Sequence, residues 1–389
     1  MNVTSLSRNA VIELSKVQSE TCVSLLMSTS SSGVSSRQGA TRFKNLIQTA
    51  EVALGHRNIR EEEIESLLKP GKQLLNNSPF WSHQSEGLAV YLEGGSSRLY
   101  QLPFSVQDRA VVGGHFHVRP LLKAVAQEDF YILNLNLNGA QLLEFSAHGV
   151  KSFLPEGFPE SLQEVMASGG SEAAAHHENG PCPDVYHRPG MGMEENRKLA
   201  LEEWLRSLAR SVESFLDSKG ATLVLAGVDY VVAEYRKHDR YPHTLSQAIH
   251  GSTERMSVKE LEEAGREKLV GPIKQRLENL LERYRSGLNQ GRSTAGLQAC
   301  LQAAGAGMVD HLLVAEDATL WGSYSAESRQ LRSLEQGQPN AEELVERVCL
   351  DTLKSKGDVS FIPSLSMPNG RQIAAILRFA SVDLYDYPS

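Results

Sequence analysis

Two apolar segments in the last third of the chain do most to fix its fold class. Residues 294–317 read TAGLQACLQAAGAGMVDHLLVAED, and residues 359–379 read VSFIPSLSMPNGRQIAAILRF. The first predicts a helix, a glycine turn and a buried strand that ends in acids. The second predicts a short strand, a glycine-bearing loop and an apolar strand, Ile373–Phe379, that carries Arg378. Helices alternating with apolar strands that show no polar face imply sheets covered by helices, an α/β arrangement.

A chain of 389 residues is too long for one ordinary core, so two or three domains are expected. A net charge of -8 argues against a generalised polybasic nucleic-acid binder but leaves room for local basic patches. The cysteines Cys22, Cys182, Cys300 and Cys349 are scattered and form no CxxC pair. That argues against a disulfide framework or structural zinc, and fits a reducing cytoplasm. No apolar run approaches the roughly 18 residues needed to span a bilayer. The first residues, MNVTSLSRNAVIEL, lack the apolar core of a signal peptide. No membrane partner and no DNA are expected.

Along the chain, Cys22–Met27 predicts a strand, Ser28–Ala40 a Ser/Gly-rich mobile loop, and Thr41–Gly55 and Ile59–Leu75 two helices. Gly87–Tyr91 and Ser97–Leu102 read as a hairpin, and Pro103–Arg119 as irregular chain ending in GGHFHVRP. A second unit opens with FYILNLN from Phe130, which pairs with Gly139–Phe145 across a turn; Val150–Phe158 then leads outward. Ser168–Gly192 is rich in Gly, Pro, His and Ala, and a loop of that length inside a domain is usually functional or disordered. Glu194–Lys219 predicts a long amphipathic helix, Ala221–Gly227 a buried strand and Tyr230–His238 a helix. Ser257–Leu288 is helical with a break expected at Gly271–Pro272. The third unit alternates helix (Thr294–Gly305), strand (His311–Ala315), helix (Asn340–Lys356), strand (Val359–Pro363) and strand (Ile373–Phe379). The expected domains are residues 1–127, 128–271 and 272–389.

In this order the elements resemble the archaeo-eukaryotic class 1 release factors and Pelota, and above all the bacterial archaeo-eukaryotic release factor families. The resemblance rests on several modest motifs over nearly the whole chain. These are the strand–loop–helix–hairpin start, the pair FYILNLNLNGAQLLEF, the LVLAG strand at Leu223–Gly227 and the closing AILRF strand. A segment like His115–Leu122 (HFHVRPLL) precedes the middle domain in the bacterial branch. The resemblance implies three α/β domains, a middle domain turned toward the peptidyl-transferase centre, and a third, Pelota/L7Ae-like domain that contacts a partner such as a translational GTPase.

The departures remove the family's reaction. Release factors carry a Gly-Gly-Gln tripeptide on a loop of the middle domain, whose backbone helps position a water at the ester joining peptide to tRNA. The corresponding loop here, Ser168–Gly192, holds Gly169–Gly170–Ser171 and Gly190–Met191–Gly192 but no Gly-Gly-Gln. Where stop-codon-reading motifs would fall, the chain has Arg42–Phe43–Lys44–Asn45 and Tyr91–Leu92–Glu93 instead. The zinc-binding insertion of some relatives is missing as well.

Candidate chemistry is sparse. His115 and His117 alternate on an extended segment that also carries Arg119, so they read as metal ligands or as a polar cluster at a domain junction, and the cluster is preferred because no acidic partner is near in sequence. His176, His177, Cys182 and His187 are candidate catalytic or zinc-binding groups of the central loop, with RNA or solvent contact the preferred reading. Arg206, Arg210, Arg236, Lys237 and Arg240 concentrate positive charge in the middle unit, with His238 beside them, and with Lys44 and Arg119 are the candidates to grip RNA phosphates. Arg283, Arg285 and Arg292 flank a glycine loop in the third unit and carry the same possibility. Glu316–Asp317 ends a buried strand without a base or nucleophile beside it. There is no Walker A sequence, no dinucleotide fingerprint and no G-x-S-x-G.

The expectation is a non-catalytic, tRNA-mimicking protein of the ribosomal A site, acting in hibernation, rescue or stress. Its expected partners are the ribosome, through rRNA and tRNA, and a translational GTPase; no cofactor is expected. The alternatives are a peptidyl-tRNA hydrolase or nuclease that uses the His-bearing loop, and a protein-interaction module without ribosome contact.

Overall fold

A computed structural model of the chain describes residues 4–380 apart from 18, 20, 30–35, 58, 83, 128, 137–138, 147–148, 159–192, 336–337 and 339–340. The chain divides into two compact units, residues 128–275 and a discontinuous unit of residues 1–127 with 276–389. The first and last expected domains therefore share one body, and the boundaries fall after Gln127 and Gln275.

The N-terminal part holds α1 (Arg8–Ser15), β1 (Cys22–Ser28), α2 (Ser36–Gly55), α3 (Glu61–Leu74), α4 (Ser78–Ser82), β2 (Gly87–Glu93), β3 (Ser96–Leu102), β4 (Arg109–Gly113) and α5 (Arg119–Val125). Its antiparallel sheet has the order β3-β2-β1-β4. Val23, Leu25 and Met27 of β1 and Leu88, Val90 and Leu92 of β2 turn one face toward Phe43, Ile47, Leu68 and Trp81. The period-2 alternation leaves Ser24 and Leu26 on the opposite face, and they are buried as well, so β1 is covered on both sides. Pro103–Arg119, expected to be irregular, contains β4, which pairs with β1 from Cys22↔Gly113 to Leu26↔Arg109. Its residues are only half-buried, so as an edge strand it lacks the apolar run that announces a central one.

The middle unit holds β5 (Phe130–Asn136), β6 (Gly139–Ser146), β7 (Gly149–Phe153), α6 (Met193–Asp217), β8 (Thr222–Gly227), α7 (Asp229–His238), β9 (Ile249–His250) and the start of α8 (Val258–Leu288). The sheet order is β7-β6-β5-β8-β9, antiparallel from β7 to β5 and parallel from β5 to β9. Tyr131, Leu133 and Leu135 face a core built with Trp204, Leu208 and Val212 of α6 and Val231, Val232 and Tyr235 of α7. Phe130, Ile132, Val224 and Ala226 face Leu261 and Leu269 of α8. Gly265 allows that helix to lie close, since a Cβ there would come 2.8 Å from both Ile132 and Phe130 side chains. Val150–Phe158, expected only to lead outward, supplies β7 as a third meander strand. The expected break at Gly271–Pro272 is absent, and α8 runs through both residues. Proline removes one i→i−4 bond, which a helix of 31 residues survives.

The C-terminal part holds β10 (Ser293–Ala295), α9 (Leu297–Gly305), β11 (Val309–Ala315), β12 (Trp321–Ser325), β13 (Gln330–Ser333), β14 (Glu342–Glu343), α10 (Leu344–Lys354), β15 (Asp358–Ile362) and β16 (Ile373–Leu377). The main sheet has the order β10-β16-β11-β15, with β11 and β15 parallel. A small sheet, β13-β12-β14, precedes α10 and was not foreseen. Its strands are short and largely polar, so they carry no strand-like apolar alternation. Among the described residues no helix is long and apolar enough to cross a membrane.

Candidate functional site

The segment HFHVRP forms a seam inside the discontinuous unit. The His117 N–H donates to Ser24 Oγ at 3.0 Å, and the Tyr91 hydroxyl donates to the His117 carbonyl at 3.1 Å. Glu346 of α10 receives the rest: the Val118 N–H at 2.8 Å, the Arg119 N–H at 3.2 Å, and His117 Nδ1 at 2.9 Å. The side chains of His117 and Glu346 are each 10% exposed. Arg119 turns its guanidinium to Glu343 at 3.6 Å, with Thr319 and the Glu316 carbonyl at the margin of hydrogen-bond range. Glu343 also caps α10, accepting the Val345 and Glu346 N–H groups and that of Leu320. Burial still lifts its carboxyl above the ordinary carboxylate range, against the pull of those donors and of Arg119. His115 is exposed. The acidic partner that sequence spacing did not offer thus comes from α10, far along the chain.

No group of three or more His, Cys, Asp or Glu side chains is placed to hold a metal among the described residues. Cys22, Cys300 and Cys349 are free and buried. Burial pushes the Cys22 thiol up to about 11 and the Cys300 thiol up to about 12, so neither offers a thiolate near neutral pH. His176, His177, Cys182 and His187 lie outside the described residues.

The candidate phosphate-gripping residues divide by what they already hold. Arg236 donates to the Leu245 and Ser246 carbonyls, both at 2.9 Å, and so staples the loop after α7. Arg206 pairs with Glu202 and Lys237 with Glu234, each at 2.6 Å on its own helix. Arg210 and Arg240 are exposed, and no ion pair of either is found among the described residues. These residues belong to α6, α7 and the loop that follows, and the two helices pack on one face of the sheet. Lys44 is exposed on α2, in the other unit. Arg283 pairs with Asp310 at 2.8 Å, and Arg283, Arg292 and Arg378 line an open cavity of about 620 Å³.

A second convergence lies at one edge of the middle sheet. Phe153, Leu142, Leu133 and Leu225 stand at one level across β7, β6, β5 and β8. β7 therefore runs toward the edge where the parallel strands end. At the same edge Gly227 closes β8 with φ +147°, and a Cβ there would come 2.3 Å from the Leu135 carbonyl oxygen, which only glycine avoids. Asp229 follows as the first residue of α7, and its Oδ1 lies 2.6 Å from Nδ1 of His250, the last residue of β9. The Gly251 N–H donates to the Gly227 carbonyl at 3.1 Å, and the Thr253 hydroxyl bonds to Asn134 in the interior. The pair is not visible in the sequence. Asp229 and His250 are joined only through the pairing of Gly227 with His250, which no sequence spacing reports.

Comparisons with known proteins bear on the middle unit. Residues 130–271 match the model of bacterial archaeo-eukaryotic release factor family 7. Among solved structures, archaeal Pelota in a model of ribosome-bound archaeal Pelota and ABCE1 is 13% identical, with 97% of this chain and 96% of that chain covered and a TM-score of 0.40. The archaeal translation termination factor aRF1 is 14% identical, with 96% and 98% covered and a TM-score of 0.23. S. cerevisiae Dom34, described as a translation termination-like factor involved in RNA quality control and interacting with Hbs1, is 11% identical, with 78% and 75% covered and a TM-score of 0.37. No curated protein matches the sequence.

Proposed function

From the premise that this chain carries a bacterial archaeo-eukaryotic release factor family 7 domain at residues 130–271, we propose that it acts in translation as a release-factor-like protein that enters the ribosomal A site without the family's peptide-release chemistry. One observation carries the reading. The domain is kept, yet the chain between β7 and α6 holds Gly169–Gly170–Ser171 and Gly190–Met191–Gly192 where Gly-Gly-Gln would be required.

The exposed cations Lys44, Arg206, Arg210, Lys237 and Arg240 are the side chains that would meet RNA phosphates, each as a modest, salt-sensitive contribution. Arg119 and Arg236 serve chiefly to hold the fold, through Glu343 and through the Leu245 and Ser246 carbonyls. The C-terminal part would present its surface to a protein partner, with a translational GTPase as the expected class. Hibernation, rescue of stalled ribosomes or protection under stress is the physiological setting that suits an A-site occupant that does not release peptide.

Sedimentation of the tagged protein through sucrose gradients, from growing and from starved cells, tests the proposal. Co-migration with ribosomes in at least one state is expected, and its absence in both would overturn it.

A further inference from the structure

We propose that Asp229 and His250 form a metal-independent general-base site that cleaves RNA at a 2′-hydroxyl; this rests on the reading that the middle unit meets RNA. The carboxylate accepts from Nδ1–H at 2.6 Å, which fixes the tautomer and leaves the Nε2 lone pair pointing away from Asp229. The His250 and Asp229 side chains are 61% and 81% exposed, so the ring is open to a large substrate. A histidine–carboxylate pair this solvated adds little to stability. Its setting is nevertheless built: Gly227 is fixed by close approach to Leu135, Gly251 is bonded back to Gly227, and Thr253 is tied to the buried Asn134.

The position in the sheet points to a ligand. From β5 the chain turns to β6 on one side, while from β8 it passes through α7 to β9 on the other. Ligands of open α/β sheets bind outside the carboxyl ends of the parallel strands, the edge that carries Asp229 and His250. Two further groups at this edge suit RNA. The N–H groups of Asp229 and Tyr230 begin α7 and have no acceptor among the described residues, since the Val228 carbonyl takes Val231 and Val232. They are placed to receive a phosphate oxygen. Tyr230 is 53% exposed and offers a ring on which a base can stack. An exposed edge cannot enclose a small molecule as a pocket does, but a polymer strand can lie across it.

The step balances without a cofactor. His250 Nε2 takes the proton of a 2′-hydroxyl, the 2′-oxygen forms a bond to the adjacent phosphorus, and the bond from phosphorus to the 5′-oxygen breaks. The leaving 5′-oxygen takes a proton from water, and the imidazolium, stabilised by Asp229, returns its proton to solvent. The products are a 2′,3′-cyclic phosphate and a 5′-hydroxyl.

The test uses the full chain in EDTA with an end-labelled single-stranded RNA, the same sequence as DNA, and purified ribosomes carrying tRNA. Cleavage of an RNA substrate and not of DNA is expected, with cyclic-phosphate ends. His250→Gln should slow it at least about 100-fold. Asp229→Asn should slow it about 10-fold or more, and added imidazole should restore part of the activity to His250→Gly. An inert wild-type chain on all RNA substrates, or a His250→Gln variant as active as wild type, overturns the proposal. Ribosome co-sedimentation of His250→Gln, measured alongside, should match wild type. If cleavage fails while co-sedimentation persists, the A-site reading stands alone; if cleavage occurs without co-sedimentation, that reading fails and the site remains.

Discussion

Among the described residues, two histidine–carboxylate pairs of the same chemistry stand in opposite surroundings. His117 and Glu346 meet at 2.9 Å with about a tenth of each side chain exposed, whereas His250 and Asp229 meet at 2.6 Å with most of each exposed. In the seam, Glu346 also accepts two backbone N–H groups, so the carboxylate organises the join between α10 and the start of α5. At the sheet edge, Asp229 holds a single imidazole and leaves the other ring nitrogen to whatever arrives. Burial turns the first pair into architecture, and exposure leaves the second available for chemistry.

Removing the carboxylates should separate the two sharply. Glu346→Ala leaves His117 and two N–H groups without an acceptor in a buried setting, and should cost about 3–5 kcal/mol in unfolding experiments. A loss under about 1 kcal/mol would show that the seam is not held there.

A smaller effect is expected from pH. His311 on β11 has its Nε2 2.8 Å from Ser360 Oγ, and burial lowers its pKa below the ordinary histidine value, with Arg283 adding to the shift and Asp358 and Asp310 opposing it. A folded state that resists protonation binds fewer protons than the unfolded chain, so stability rises with pH in that window. The discontinuous unit should therefore lose stability as pH falls through about 6.5 and below. In His311→Gln that part of the slope should vanish; an unchanged slope would place the titration elsewhere.

The smallest effect belongs to the edge. His250→Gln and Asp229→Asn should each change stability by about 0.5 kcal/mol or less, as for a pair this open to solvent. A large loss at either position would make that pair structural too, and would erase the contrast.

Much of the fold was legible because its inner strands are apolar runs: CVSLLM, FYILNLN, TLVLAG and IAAIL each stand as a buried strand. Elements that announce themselves weakly were missed. β4 is an edge strand with half-buried residues, and β12 to β14 pair short polar segments. The candidate sites were harder for a different reason. Glu346 reaches Val118 across 228 positions and Asp229 reaches His250 across 21, and in both cases tertiary pairing supplies the neighbour. The Arg206–Arg240 concentration was visible as charge. That Arg236 holds two carbonyls while Arg210 and Arg240 stay exposed depends on loop geometry that charge cannot express.

Binding of the purified chain to ribosomes whose A site is either vacant or filled with tRNA separates A-site occupancy from any other association with the ribosome. An A-site occupant should bind vacant ribosomes saturably, and A-site tRNA should abolish that binding. Equal binding to both, or binding to neither, would contradict A-site occupancy.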